Sequence, residues 1–232
     1  MHRYVMSDST RKRLLRRQGR LTSREPFAAG RTALLVIDMQ NYFVAEGFPG
    51  EVPLSREIVP TINRLASAVR ASGATVLWIQ TTAGGALEHW SNYHTHMLTP
   101  ERKTIRLENL DDSGEGFRLY PELDVLPADL RIKKIKYSAF IAGSSDIDTK
   151  LKSRGIDTLL IAGTATNVCC ESSARDAMML NYRVTMLSDA TATWTDEEHA
   201  ATLKTFLLFF GDVMATDEAI GQLVPVESVR TG

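Results

Sequence analysis

The feature that most constrains this chain is an almost uninterrupted apolar run, Ala33-Leu-Leu-Val-Ile-Asp38, that ends on an acid. Such a run reads as a strand buried on both faces of a parallel sheet, because a strand with one wet face would alternate. Thr75–Gln80 and Thr158–Ala162 repeat the pattern, Arg183–Leu187 and Asp212–Ala215 are shorter versions, and Arg131–Lys134 is a more polar one. Helical periodicity fills the gaps. Ser55–Ser72 sets Ile58, Ile62, Leu65, Ala66 and Val69 at helical spacing before Gly73, and Asp146–Arg154, Val168–Leu180 and Asp196–Phe210 are further helices. Repeated strand–helix units predict an α/β three-layer sandwich, a mostly parallel sheet of about six strands with helices on both faces.

Two segments leave this rhythm. Residues 1–30 form a basic arm: eight Lys or Arg lie between Arg3 and Arg24 against the single acid Asp8, with Leu14 and Leu15 as the one apolar pair. The arm is expected to lie as a solvated segment or short helix on the body or on a neighbouring subunit. Residues 31–232 form the domain itself, interrupted at about 83–130 by an irregular insertion rich in Gly and Pro. An insertion of that length is usually functional, and it is expected to shape the active site.

Composition excludes several classes. The formal net charge is −1 and no nucleic-acid module accompanies the arm, so no nucleic-acid partner is expected. No apolar run approaches the roughly 18–20 residues that span a bilayer, so no membrane partner is expected either. The only two cysteines, Cys169 and Cys170, are neighbours, a spacing that strains a disulfide. A reducing cytoplasm follows as the expected location.

Ligands of open parallel sheets bind outside the carboxyl ends of the strands. Three chemically unusual residues fall there: Asp38 ends the first strand, Lys134 ends the third, and Cys169 opens the helix after Gly163-Thr-Ala-Thr-Asn167. Each alone has an ordinary explanation as a cap, a solvated charge or a small core residue. Together they suggest a nucleophile and a base in one cleft. A thiol at a helix N-terminus feels the positive end of the helix dipole, and a nearby Lys adds to it, so Cys169 is expected to be a fast-labelling thiolate. Backbone N–H groups at that terminus would receive an oxyanion.

Three motifs then resemble the isochorismatase-like cysteine hydrolases, which include N-carbamoylsarcosine amidase, nicotinamidase and ureidoacrylate amidohydrolase. They are Leu35-Val-Ile-Asp-Met-Gln-Asn-Tyr-Phe43, Lys134-Ile-Lys-Tyr-Ser-Ala-Phe140 and Gly163-Thr-Ala-Thr-Asn-Val-Cys-Cys-Glu-Ser-Ser-Ala-Arg-Asp176, and the likeness runs from about Thr32 to Leu223. The resemblance implies that Asp38 is the general base, Lys134 its charged partner and Cys169 the nucleophile. Lys136 competes for the lysine role, but the family's lysine stands four residues before the Ser of Tyr-Ser-x-Phe, here Ser138. It also implies a cis peptide between Thr164 and Ala165 that directs N–H groups of Ala165 and Cys169 at an oxyanion. The implied reaction is hydrolysis of a C–N bond in a small amide, ureide or N-carbamoyl compound through a thioester. Vinyl-ether or ester hydrolysis of the isochorismatase type is the alternative, and a non-catalytic scaffold a remoter one.

The chain also departs from its relatives. Nicotinamidases hold a metal through an Asp and two His, including Asp-Trp-His-Pro after the second strand, where this chain reads Gln80-Thr-Thr-Ala-Gly84. No metal or other cofactor is therefore expected, with His94-Thr-His96 beside His89 the one alternative. The Asn-Gly-Trp stretch of ureidoacrylate amidohydrolases is replaced by Thr81-Thr82-Ala83, which puts that substrate in doubt. Position nominates Gln40, Tyr42, Phe43, Trp90, Tyr93, His94, Tyr137 and Asn167 as substrate contacts, with Arg102, Lys103 and Arg106 as a carboxylate clamp or a solvated helix face. Self-association as a homodimer or homotetramer is expected from the architecture.

Overall fold

A computed structural model of the chain describes His2, residues 4–22 and residues 25–225. Eight strands run in chain order: β1 (Phe27–Ala28), β2 (Thr32–Ile37), β3 (Thr75–Thr81), β4 (Leu130–Lys134), β5 (Thr158–Thr164), β6 (Arg183–Ala192), β7 (Asp212–Met214) and β8 (Leu223–Val224). The helices are α1 (Asp8–Gln18), α2 (Asn41–Val44), α3 (Val59–Ser72), α4 (Ala86–His89), α5 (Ser91–His96), α6 (Pro100–Asn109), α7 (Ile147–Lys152), α8 (Glu171–Met179), α9 (Asp196–Phe209) and α10 (Thr216–Gly221).

Six strands make one sheet in the order β4-β3-β2-β5-β6-β7, and every pairing in it is parallel. All six residues of β2, the central strand, are buried, and its side chains alternate between two cores. Ala33, Leu35 and Ile37 join α1, α7, α8 and α9 on one face. Leu34 and Val36 join α3 and α10 on the other. The three-layer architecture predicted above is the one observed. Strand β4 lies at the sheet edge with Arg131 and Lys133 exposed and Ile132 and Lys134 buried, so its polar reading reflects a half-wetted strand.

Local chemistry moved several boundaries. Helix α3 begins at Val59 rather than Ser55 because Pro60 suits a first turn, and residues 53–55 form a 3-10 turn instead. Cys169 does not open an α-helix directly: Thr166–Cys170 form a π-helical turn, and α8 follows from Glu171. The insertion is less irregular than its composition suggests, since it holds α4, α5 and α6. Helix α6 starts where Thr99 caps the Arg102 N–H and Pro100 takes the first position. The helix is mostly polar, and the residue it buries most deeply is Arg106.

The basic arm folds onto the body. Leu14 of α1 is fully buried in the core shared with α9, and Arg13 and Arg17 lie over the Phe209 ring. Arg3 and Arg24, which bound the basic stretch, lie outside the described residues. The short β1–β8 pair joins the start of the domain to its far end.

The chain passes from β2 to β3 to β4 in one direction and then returns to place β5 against the other side of β2. That reversal makes a crevice at the carboxyl ends of β2 and β5. Gly163 lets the two strands meet there. It has φ +110°, and a Cβ would overlap the Ile37 carbonyl oxygen just before Asp38. Gly163→Ala is expected to destabilise the protein by about 2–3 kcal/mol or more in urea unfolding, from overpacking and an unfavourable φ. Unchanged stability would show that the strands can separate freely.

Candidate active site

The crevice gathers side chains from three strand ends. Asp38 follows β2 in the left-handed region, φ 54°, a conformation that Asp tolerates better than most residues. Its N–H donates to the Ile79 carbonyl at 2.8 Å. The carboxylate is buried, and its two oxygens have different partners. Oδ1 accepts from the Thr81 N–H at 3.1 Å and the Thr81 hydroxyl at 2.9 Å. Oδ2 lies 2.7 Å from Lys134 Nζ, against the ammonium rather than against Thr81.

Lys134 ends β4 opposite Thr81 in the β3–β4 register. Its Nζ donates to Thr81 Oγ1 at 2.6 Å and to the Lys136 carbonyl at 3.2 Å, and the side chain is fully buried. Burial opposes its charge, but Asp38 and then Cys169 outweigh that penalty and hold the ammonium above its ordinary range. Lys136, the rival, donates from an exposed position to the Ala142 carbonyl at 2.9 Å. Thr81 bridges both members of the ion pair, a role that its position as the last residue of an apolar strand does not advertise.

Cys169 is buried in the π-helical turn after β5, and the peptide between Thr164 and Ala165 is cis. Its thiol is pushed up to about 12, first by burial and then by the Asp38 charge, with Lys134 only partly offsetting them. This corrects the expectation of a resting thiolate. The ammonium is already neutralised by Asp38, and a turn of π-helix in a dry core cannot supply the missing cation. Slow alkylation near neutral pH follows. Cys170 points away, with its Sγ 3.9 Å from the Ala162 carbonyl, and burial raises it well above its usual range.

Residues 32–218 match the isochorismatase domain. The chain belongs to the isochorismatase family. It is 35% identical over 215 residues to ureidoacrylate amidohydrolase RutB of Pseudomonas savastanoi pv. phaseolicola, with 85% of each chain covered. A cysteine hydrolase from Pseudomonas syringae pv. phaseolicola has a similar structure, with TM-score 0.78 and 28% identity over 88% of this chain and 98% of that one. N-carbamoylsarcosine amidase from Thermoplasma acidophilum shares the fold, with TM-score 0.64 and 23% identity over 85% of this chain and 99% of that one.

In this isochorismatase-family chain a cavity of about 190 Å³ opens on Cys169. Tyr42, Phe43, Tyr93 and Tyr137 line it, as position suggested, together with Thr164 and Ala165 of the cis peptide. Four other nominated contacts do not. Gln40 is a brace whose amide donates to the Thr81 and Phe117 carbonyls and accepts from the Thr81 N–H. Trp90 stacks on Tyr93 from behind, 4.2 Å between centroids, and His94 turns its Nδ1 to the Trp90 carbonyl. Asn167 accepts from the Thr193 hydroxyl at 2.6 Å. Each neighbours a lining residue in sequence but presents its polar atoms to the scaffold. Val52, Leu98, Val168 and Trp194 complete much of the wall, together with Arg102 and Arg106. Trp194 comes from the loop after β6 and is tied by its indole N–H to the Glu51 carbonyl, a tertiary placement that no local pattern signals. Among the described residues no group of three or more His, Cys, Asp or Glu is placed to hold a metal.

A second buried group steadies the nucleophile's turn. His199 of α9 is fully buried; its Nε2 faces the Ser188 carbonyl at 3.1 Å, so Nδ1 accepts from the Thr166 hydroxyl at 3.0 Å. The His2 ring stacks on it at 4.4 Å and is paired with Asp196. Burial and then the His2 charge lower His199 to about 4. The unfolded chain takes up this proton near pH 6.5 and the folded one does not, so stability present above that pH falls as acid is added. About 3 kcal/mol should be lost at this position between roughly pH 6.5 and pH 4. Urea unfolding of the wild type and His199→Gln at both pH values checks this. The variant should show the shallower acid slope, and equal slopes would contradict the assignment.

Proposed function

We propose that the protein is a hydrolase of carbon–nitrogen bonds other than peptide bonds, a cysteine-dependent amidase acting on a small amide, ureide or N-carbamoyl compound. The observation that carries this reading is the convergence of Asp38, Lys134 and Cys169 at one strand-end crevice, with Cys169 open to the cavity. The likeness to ureidoacrylate amidohydrolase RutB supports a ureide or related amide as the substrate. A volume of about 190 Å³ lies below the range of about 300–1,000 Å³ that suits drug-sized ligands, in keeping with a small molecule.

The reaction starts from a protonated thiol. As the sulfur attacks the carbonyl carbon, its proton passes to the Asp38 carboxylate, whose Oδ2 is not engaged by Thr81. Lys134 pairs with Asp38 until that moment and offsets the cost of burying its carboxylate. The N–H groups of Ala165 and Cys169 receive the tetrahedral oxyanion. The proton on Asp38 then passes to the leaving nitrogen as the C–N bond breaks, giving the amine and a Cys169 thioester. Asp38 next takes a proton from water while the resulting hydroxide adds to the thioester. The C–S bond breaks, the sulfur regains its proton, and the acid is released.

Other parts of the chain take supporting roles in this reading. Residues 83–130 build the substrate wall through Tyr93, Leu98, Arg102 and Arg106, and α1 of the basic arm packs against α9 through Leu14, Arg13 and Arg17. The two unbridged cysteines suit a reducing cytoplasm. No helix among the described residues is long and apolar enough to cross a membrane. Exposed Ile141, Met179 and Leu180 offer apolar surface for a homo-oligomer.

Ammonia or amine release from a panel of amides, ureides and carbamoyl compounds tests the reading. Cys169→Ala should lose essentially all turnover while unfolding like the wild type, and Asp38→Asn should lose roughly 100- to 10,000-fold. Intact mass spectrometry should show an acyl adduct on Cys169 during turnover. Amide cleavage by Cys169→Ala, or release of pyruvate from isochorismate with no activity on amides, would overturn it.

A further inference from the structure

His2 is a buried ring of the basic arm that the reaction above does not use, and it is only 4% exposed. Tyr4 and Met6 pack on the core that Leu14 of α1 shares with α9, so the arm brings this ring to a fixed place on the body. There it meets two residues beyond the end of β6. Its Nδ1 donates to Asp196 Oδ1 at 2.6 Å. Its Nε2 faces both polar groups of the Thr193 backbone. A neutral ring accepts from the Thr193 N–H at 3.1 Å, and a charged one donates to the Thr193 carbonyl at 3.0 Å. The contact therefore holds in either charge state.

One imidazole thus pins both ends of residues 193–196, and Trp194 between them forms part of the cavity wall. Thr193 also touches the nucleophile's turn, where its hydroxyl donates to Asn167 Oδ1 at 2.6 Å, two residues before Cys169. A second route leaves from the face of the ring. His2 stacks on His199 at an interplanar angle of 17°, and His199 Nδ1 accepts from the Thr166 hydroxyl. Both routes end inside the π-helical turn Thr166–Cys170. Thr193 and His199 are fully buried, so water cannot replace a partner lost at either one.

We infer that His2 is a positioning residue of the active site: it holds Thr193, and through it the turn of Cys169 and the Trp194 wall, in the geometry that a substrate meets. The basic arm is then a support of the catalytic turn and not a solvated extension. The inference rests on the proposed function only in taking the Cys169 cavity as the substrate site.

Three substitutions separate this role from simple packing. His2→Ala removes the ring, His2→Phe keeps the stack on His199 without the polar contacts, and His2→Gln places an amide near the former Nε2 without the stack. Hydrogen exchange read by mass spectrometry, at a temperature where each variant is folded, needs no substrate. Residues 164–170 and 191–196 should exchange about 10-fold or more faster in His2→Ala and His2→Phe, and His2→Gln should recover most of the protection. On any amide that the wild type hydrolyses, kcat should fall about 10- to 100-fold in His2→Ala and His2→Phe but only a few-fold in His2→Gln.

Wild-type exchange at both segments in His2→Ala, an unchanged kcat there, or recovery by His2→Phe in place of His2→Gln would each overturn the inference. The last outcome would make the ring a packing element only. Thr193→Val breaks the link to Asn167 from the other side and keeps the test open if the arm variants fold poorly. It should speed exchange at residues 164–170, and no change there would break the route. Faster exchange in His2→Ala with no hydrolysis of any amide would keep the positioning role and sink the amidase reading. Unchanged exchange in an enzyme that hydrolyses amides would do the reverse.

Discussion

The ion pair between Asp38 and Lys134, closed off from water at the ends of β2 and β4, is what the rest of the site is arranged around. Two charges in such a place are stable only if each finds its opposite and the remaining lone pairs and protons are met. Thr81 does most of that work, giving both its N–H and its hydroxyl to one oxygen of Asp38 while accepting from Lys134. Gln40 in turn fixes the Thr81 backbone. The result is a carboxylate with one oxygen fully engaged and the other held against an ammonium. It is a carboxylate matched by an ammonium and closed off from water.

That arrangement also sets the state of the sulfur. An ammonium already matched by a carboxylate has little attraction left for a thiolate, and the low-dielectric pocket penalises a third charge. Burial and the Asp38 charge push the Cys169 thiol up to about 12, so in the proposed reaction the sulfur gives up its proton only during attack. In that reaction a nucleophile held as a thiol is guarded against adventitious alkylation. The route matches the acid–base cycle of amide cleavage, in which the same proton is needed by the leaving nitrogen.

Much of this was legible in the sequence. The doubly buried strands announced themselves as continuous apolar runs, and Asp38, Lys134 and Cys169 stood out because each broke such a pattern at a strand end. The structure brings those three together. What could not be read was direction. Gln40, Trp90, His94 and Asn167 neighbour cavity residues along the chain, yet backbone carbonyls, rings and hydroxyls claim their polar atoms. Thr81 and Trp194 were overlooked because an ordinary strand residue and a loop aromatic acquire roles only through tertiary contact. The Gly and Pro residues of the insertion mask its helices, and α6, mostly polar, buries a charged residue where a helix normally buries an apolar one.

In the proposed reaction Asp38, not the helix end, governs protonation of Cys169. The ultraviolet absorbance of the thiolate, followed against pH in the wild type and Asp38→Asn with Cys169→Ala as the blank, reads this out. The wild type should show no Cys169 thiolate through neutral and mildly alkaline pH. In Asp38→Asn the repelling charge is gone and Lys134 is left unmatched, so the thiolate should appear at distinctly lower pH. A wild-type thiolate already present at neutral pH, and titrating identically in Asp38→Asn, would contradict the account.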